Sequence, residues 1–140
     1  MLHQAQHRLH IKTNGPSLVE ITAPVAAWLM ETGLKDGLLT VFIRHTSASL
    51  TIQENADPDV QRDLMDAFDR LAPRGKTLYR HDAEGPDDMP AHIRAALSDT
   101  SLGIPVTDGR MVLGTWQGLY IFEHRDGHHR REVFLHLTGC

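Results

Sequence analysis

Two hydrophobic spacings alternate along the chain, and together they divide it into strands and helices. From Arg8 to Thr13 polar and apolar residues alternate, with Leu9 and Ile11 on one face, which predicts a half-buried strand ended by a Gly15-Pro16 turn. Ser17 to Ile21 reads as a second short strand. Thr22 is placed to cap a helix through Pro24, Ala26, Ala27, Trp28 and Met30 that stops at Gly33. Gly37 to Arg44 (GLLTVFIR) is a near-continuous apolar run of strand length, expected to be buried on both faces, and Ser49 to Gln53 continues as a strand. Asp57-Pro58 is a strong helix start, with Asp at the cap and Pro at the first helical position. Val60, Leu64, Phe68 and Leu71 then recur at helical spacing until Pro73 and Gly75 close the element.

From Thr77 to Pro86 the pattern is irregular and polar, which predicts a surface loop; Asp87 or Asp88 can cap a third helix through Ile93 and Leu97. The remainder reads as β. Ile104 to Thr107 and Arg110 to Leu113 form a hairpin around Asp108-Gly109, and Trp116 to His124 and Arg131 to Leu137 form another around Asp126-Gly127. With no repeat or linker, residues 1–140 read as one domain. The fold class is α+β, a mainly antiparallel sheet curled into a sandwich or barrel-like core and flanked by helices.

Composition narrows the chemistry. The 140 residues are 41% hydrophobic and 23% charged, ordinary values for a globular chain and incompatible with overall disorder, collagen or coiled coil. No run is apolar enough to span a bilayer, the start MLHQAQHRLHIK lacks a signal peptide's apolar middle, and no membrane partner is expected. A formal net charge of -4 argues against nonspecific nucleic-acid binding, so no nucleic-acid partner is expected either. The single cysteine, Cys140, can form no intrachain disulfide, which points to a reduced, cytoplasmic protein. Ten histidines, in contrast, are a dense supply of neutral-pH bases and metal ligands.

Five polar clusters could carry chemistry. His45-Thr46-Ser47-Ala48, at the end of a strand, offers a base or metal ligand and hydroxyls for an anion, or simply closes a turn. In Glu54-Asn55-Ala56-Asp57, Asp57 has capping work, whereas Glu54 and Asn55 have none. His81 to His92 (HDAEGPDDMPAH) holds two imidazoles and four carboxylates, enough for a metal if a third His joins from elsewhere, or else forms a solvated acidic loop. In Gly114-Thr115-Trp116-Gln117-Gly118 the glycines mark a bulge or a close approach and Gln117 could read a base or a carbonyl, while the bland alternative puts Trp116 in the core. His124 to Arg131 (HRDGHHRR) offers Arg130 and Arg131 as a phosphate clamp, or is a charged hairpin tip. GxSxG, P-loop and GxGxxG signatures are missing, which speaks against serine hydrolase chemistry and dinucleotide binding.

Taken in order, HTSASLTIQENADPDV (His45 to Val60), YRHDAEGPDDMPAHI (Tyr79 to Ile93) and above all LGTWQGLYIFEHR (Leu113 to Arg125) resemble the YjbQ family. The resemblance implies an α+β sandwich or barrel-like fold, a homotrimer with polar clusters meeting at clefts near subunit boundaries, and weak thiamine-phosphate synthase activity. That reaction joins a pyrimidine diphosphate to a thiazole phosphate and releases pyrophosphate, normally with a divalent cation. Carried over by position, the family's polar motif falls on His45, Thr46, Glu54, Asn55, Asp57, His81, Glu84, His92, Gln117, Glu123 and Arg131. The chain departs from the family's common Asp-Gly-Pro-Arg after Glu123.

The resulting expectation is an enzyme-like small-molecule site. His45, His81 and His92 converge on a divalent metal, zinc first and magnesium where pyrophosphate chemistry is involved. Glu54, Glu84 and Asn55 act on the ligand or a water, while Thr46, Gln117, Glu123 and Arg131 bind a phosphorylated small molecule. The alternatives are a non-catalytic metal- or phosphometabolite-binding module and a metal-dependent hydrolase using the same ligands.

Overall fold

The computed structural model describes residues 1–140. The first alternating segment forms a long strand, β1 (His3–Asn14), longer at its start than the pattern predicts. Gly15 turns at φ 76° into β2 (Ser17–Glu20), and α1 (Thr22–Thr32) ends at Gly33, whose φ of 71° is the left-handed cap that glycine adopts without strain. Thr22 does not cap this helix. Its hydroxyl donates to Glu20 Oε2 (2.9 Å) and accepts the Leu119 N–H (2.9 Å), tying the helix start to a neighbouring strand instead.

The chain continues through β3 (Gly37–Ile43), β4 (Ala48–Glu54), α2 (Pro58–Leu71), α3 (Asp88–Leu97), β5 (Ser101–Thr107), β6 (Arg110–Met111), β7 (Gln117–Glu123) and β8 (His128–Gly139). Asp57 caps α2 as its sequence predicts, accepting the Asp59 N–H at 2.9 Å with Pro58 in the first turn. Asp87 precedes α3 but makes no capping bond. Asp108 and Gly109 both have positive φ (52° and 75°), as the tight β5–β6 turn requires.

Every strand pairing is antiparallel, in two sheets ordered β1-β8-β3-β5-β6 and β2-β7-β4. The α+β sandwich expected from sequence is therefore the architecture. Leu39, Val41, Ile43, Ile104, Val133, Leu135 and Leu137 from the larger sheet meet Leu50, Leu119 and Ile121 from the smaller one, with Val25, Trp28 and Leu29 of α1 added. No helix is long and apolar enough to cross a membrane.

Several expectations change. β3 is buried on one face only: Leu38 and Phe42 are 53% and 43% exposed because no element covers the outside of the larger sheet there. Leu71 is exposed, and Trp116 is 61% exposed in the turn before β7 rather than in the core. The second predicted hairpin does not form. β7 lies between β2 and β4, whereas β8 lies between β1 and β3, so Glu123 to His128 is a corner between sheets. Side chains satisfy that corner's backbone: Glu123 Oε2 accepts the His124 and Arg125 N–H groups (3.0 and 3.1 Å), and Asp87 Oδ2 accepts that of Asp126 (2.9 Å).

Candidate metal and small-molecule site

The first turn of α3 places Asp88 and His92 four residues apart on one face. The loop before it brings in His81. His81 Nε2 lies 2.5 Å and His92 Nε2 3.1 Å from the same oxygen, Asp88 Oδ2, and one ligand atom from each of the three residues lies within 4.8 Å of the others. Asp88 is 2% exposed, while His81 and His92 are partly open to solvent. The other carboxylate oxygen accepts from Arg125 Nη1 (2.8 Å), whose Nε donates to Asp87 Oδ2 (2.7 Å) and whose Nη2 donates to Glu84 O (3.1 Å). Burial alone raises the pKa of Asp88, but the His81 hydrogen bond and the Arg125 charge outweigh it and hold the carboxyl below its usual value. A single guanidinium thus fixes both carboxylates and turns Asp88 Oδ2 toward the imidazoles.

The proton count on His92 is informative. Its Nδ1 lies 3.0 Å from Thr46 O, and a carbonyl only accepts, so Nδ1 carries the hydrogen. In the neutral ring Nε2 then presents a lone pair to an ionised carboxylate 3.1 Å away. Either a second proton sits on the ring or a cation belongs between the two acceptors. Anchoring of the far ring nitrogen on a backbone carbonyl is also how metal-ligating histidines are oriented. These residues fit a divalent ion.

The structure does not bring His45 into this group; Asp88 stands where the third imidazole is expected. His45 Nε2 accepts the Glu132 N–H at 2.8 Å, and its Nδ1 faces Arg131 Nη1 at 3.4 Å. Burial and then the Arg131 charge lower its pKa, so the ring is neutral with its lone pair engaged. Thr46 contributes its carbonyl to His92. Arg131, expected as an anion clamp, is 4% exposed: Nε and Nη2 donate to Glu123 Oε1 and Oε2 (2.7 and 2.5 Å), and Nη2 also reaches Ser47 Oγ (3.2 Å). Thr13 donates to Glu123 Oε1 at 2.5 Å. Burial raises the pKa of Glu123, but Arg131 and Thr13 outweigh it, and the net shift is downward. Glu123 and Arg131 therefore face each other inside the sandwich rather than a ligand.

Glu54, Asn55 and Gln117 gather elsewhere. Glu54 pairs with Gln117 at one end of the β4–β7 ladder and Ala48 with Glu123 at the other, so the two groups stand about 20 Å apart along the strands. Glu54 Oε2 accepts the Asp57 N–H (3.2 Å), Asn55 Nδ2 donates to Glu20 Oε2 (3.4 Å), and Gln117 Oε1 accepts the Gly114 N–H (2.8 Å). Gly118 is bare for a packing reason: a Cβ there would lie 2.7 Å from Glu20 Oε2 and 3.2 Å from Asn55 Cβ. Glu84 is exposed on the loop beside Arg125.

Besides Asp88, which reads as a helix cap, two residues escape the sequence reading. Arg125 orients the Asp88 carboxylate, but its place in a run of charges reads as a solvated tip. His124 is 1% exposed. Ser98 donates to Arg94 O (2.6 Å) and Ser49 donates to Ser98 (2.7 Å), which leaves Ser49 Oγ to accept from His124 Nε2–H (2.9 Å). Burial, reinforced by the Arg94 charge, lowers the His124 pKa to about 3, so the ring stays neutral.

The family described as UPF0047 protein YjbQ-like matches residues 7–140. The chain belongs to this family. A UPF0047 protein of Synechocystis is 54% identical over 136 residues, covering 97% of this chain and 92% of its own. YugU of Bacillus subtilis, another UPF0047 protein, is 39% identical over 132 residues, covering 94% and 97%. A crystal structure of a YjbQ/UPF0047 protein from Clostridium acetobutylicum superposes with a TM-score of 0.82 at 39% identity, covering 95% of this chain and 98% of that one. The names of these YjbQ-family relatives specify no reaction, and the chemistry has to be read from the site.

Proposed function

We propose that His81, Asp88 and His92 bind one divalent cation, zinc first and magnesium where pyrophosphate is handled, and that the bound ion serves a phosphorylated small molecule. One observation carries this reading: His81, Asp88 and His92 each bring one ligand atom within 4.8 Å of the others, with the far ring nitrogen of His92 anchored on Thr46 O. Such an ion stabilises negative charge on phosphate oxygens. Around it, Arg125 holds Asp88 in the ligating orientation, Thr46 O fixes the His92 tautomer, and Glu84 lies on the rim of the group, on the solvent side. The activity that fits the family resemblance is a weak thiamine-phosphate synthase reaction, in which charge develops on departing pyrophosphate.

The proposal extends to a homotrimer. Glu54, Asn55 and Gln117 lie at the far end of the β4–β7 ladder, so their participation in the same site requires a neighbouring copy.

A non-catalytic metal- or phosphometabolite-binding role is the second reading. It is favoured by the engagement of Arg131 with Glu123, which removes the expected phosphate clamp. Metal analysis of untagged protein, together with pyrophosphate release from a pyrimidine diphosphate and a thiazole phosphate, tests both. One ion per chain and a rate lost in His81→Ala and Asp88→Asn support the enzyme. One ion without turnover supports the binding module. Metal content that is negligible, or equal in Asp88→Asn, defeats the site itself.

A further inference from the structure

A cleft of about 400 Å³ adjoins the triad, between the segment from Gly75 to Asp82 and the turn from Gly85 to Pro90. Its size falls in the range of small-molecule sites, roughly 300–1,000 Å³. Tyr79, Pro86, Met89 and Pro90 form its walls, and the Tyr79 ring is held by its hydroxyl, which donates to Pro73 O at 2.6 Å. Gly85 keeps one rim bare at φ 107°, a conformation that a residue with a side chain rarely adopts.

The charges around the cleft are what give it a direction. His81 belongs to both the cleft and the triad. Lys76 is exposed on the cleft and forms no ion pair with Asp82, which lines the same space, so its ammonium is free to meet a ligand. An aromatic and proline-rich wall suits a flat ring, a free lysine suits a phosphate as a point charge, and an ion at the triad supplies a second positive anchor through the His81 side. Asp82 lines the same cleft and disfavours a second negative group beside it.

We infer that this cleft is the ligand pocket of the triad and takes a planar-ring compound bearing a single phosphate, with the ring against Tyr79 and Met89 and the phosphate between Lys76 and the bound ion. The second anchor rests on the metal reading above; the ring wall and Lys76 do not.

Calorimetric titration of untagged, zinc-loaded protein with phenyl phosphate, inorganic phosphate and phenol tests this. Phenyl phosphate should bind at least about tenfold more tightly than either fragment. Lys76→Ala should weaken it about tenfold, the loss of one charge-assisted contact, with zinc affinity unchanged. Tyr79→Leu should erase the advantage over inorganic phosphate. His92→Ala, outside the cleft, should remove zinc and leave a weaker binding that still depends on Lys76. Zinc binding with phenyl phosphate no tighter than inorganic phosphate and indifferent to Lys76→Ala overturns the pocket while the metal site stands. Lys76-dependent phenyl phosphate binding without any zinc binding supports the pocket and removes the metal.

Discussion

The two polar groups flanking the last residues of β7 are each built on a buried carboxylate held by an arginine, and they behave in opposite ways. Glu123 and Arg131 lie inside the sandwich at 0% and 5% side-chain exposure, each the other's counter-charge, with Thr13 and Ser47 completing the bonding. Asp88, only a few residues away in space through Arg125, is as buried, but two imidazoles face the same carboxylate oxygen from the solvent side. The inner group is closed and structural; the outer one shares a single guanidinium between Asp87 and Asp88 and opens to solvent through His81 and His92. Residue identity alone does not distinguish a site from a strut, whereas the count of donors and acceptors does.

The sharpest break in this contrast comes from Glu123→Ala. It strands the buried Arg131 guanidinium and should cost about 3–5 kcal/mol in denaturant unfolding, whereas Asp88→Asn should cost far less stability while removing metal binding. A Glu123→Ala loss under about 1 kcal/mol would put the inner pair on the same footing as an exposed one. Next, Arg125→Gln leaves the ligands in place but frees the Asp88 carboxylate, and zinc affinity should fall about 10–100-fold with the pair Glu123–Arg131 untouched. An unchanged affinity would show that Arg125 only closes the corner between sheets.

A smaller effect follows from His124. Its pKa is near 3 in the fold and near 6.5 when unfolded, so between those values the unfolded chain binds the extra proton. Stability is therefore full above about pH 6.5 and declines as pH falls, by about 1.4 kcal/mol per unit for one proton. His45, also lowered by burial, acts in the same direction. Unfolding free energies measured from pH 6.5 to 4.5 should show a shallower slope in His124→Asn than in the parent; equal slopes would mean the ring is not buried neutral. Smallest is Asp57→Ala, which removes the α2 cap bond and should cost about 1 kcal/mol without altering zinc binding.

How far the sequence could be read depends on whether a signal is local. The Asp57-Pro58 helix start, the Gly33 stop and the Asp108-Gly109 turn are set by neighbouring residues, and each forms as its pattern predicts. Sheet membership is not local. A short polar link between two strands reads the same whether it folds back as a hairpin or crosses to the other sheet, which is why β7 and β8 read as partners. Trp116 sits between glycines in an apolar run, yet the turn that Gln117 closes on Gly114 holds it in solvent.

At the site, the meeting of His81 and His92 is legible in the sequence because two imidazoles flank a carboxylate-rich loop. Asp88 was hidden by its second meaning as a helix cap, and His45 took its place in the expected set. Nothing in the local pattern marks Arg125 as the partner of Asp87 and Asp88, since that contact spans 37 to 38 residues and exists only once the corner has formed.

The imidazole nitrogens themselves provide the most direct measurement. In a long-range nitrogen–proton correlation spectrum of labelled, untagged protein, His92 should show Nδ1–H in the zinc-free state. On adding one equivalent of zinc, the Nε2 resonances of His81 and His92 should shift together while those of His45 and His124 stay in place. Zinc that leaves both Nε2 signals unmoved, or that displaces His45 instead, would contradict the assignment of the metal to His81, Asp88 and His92.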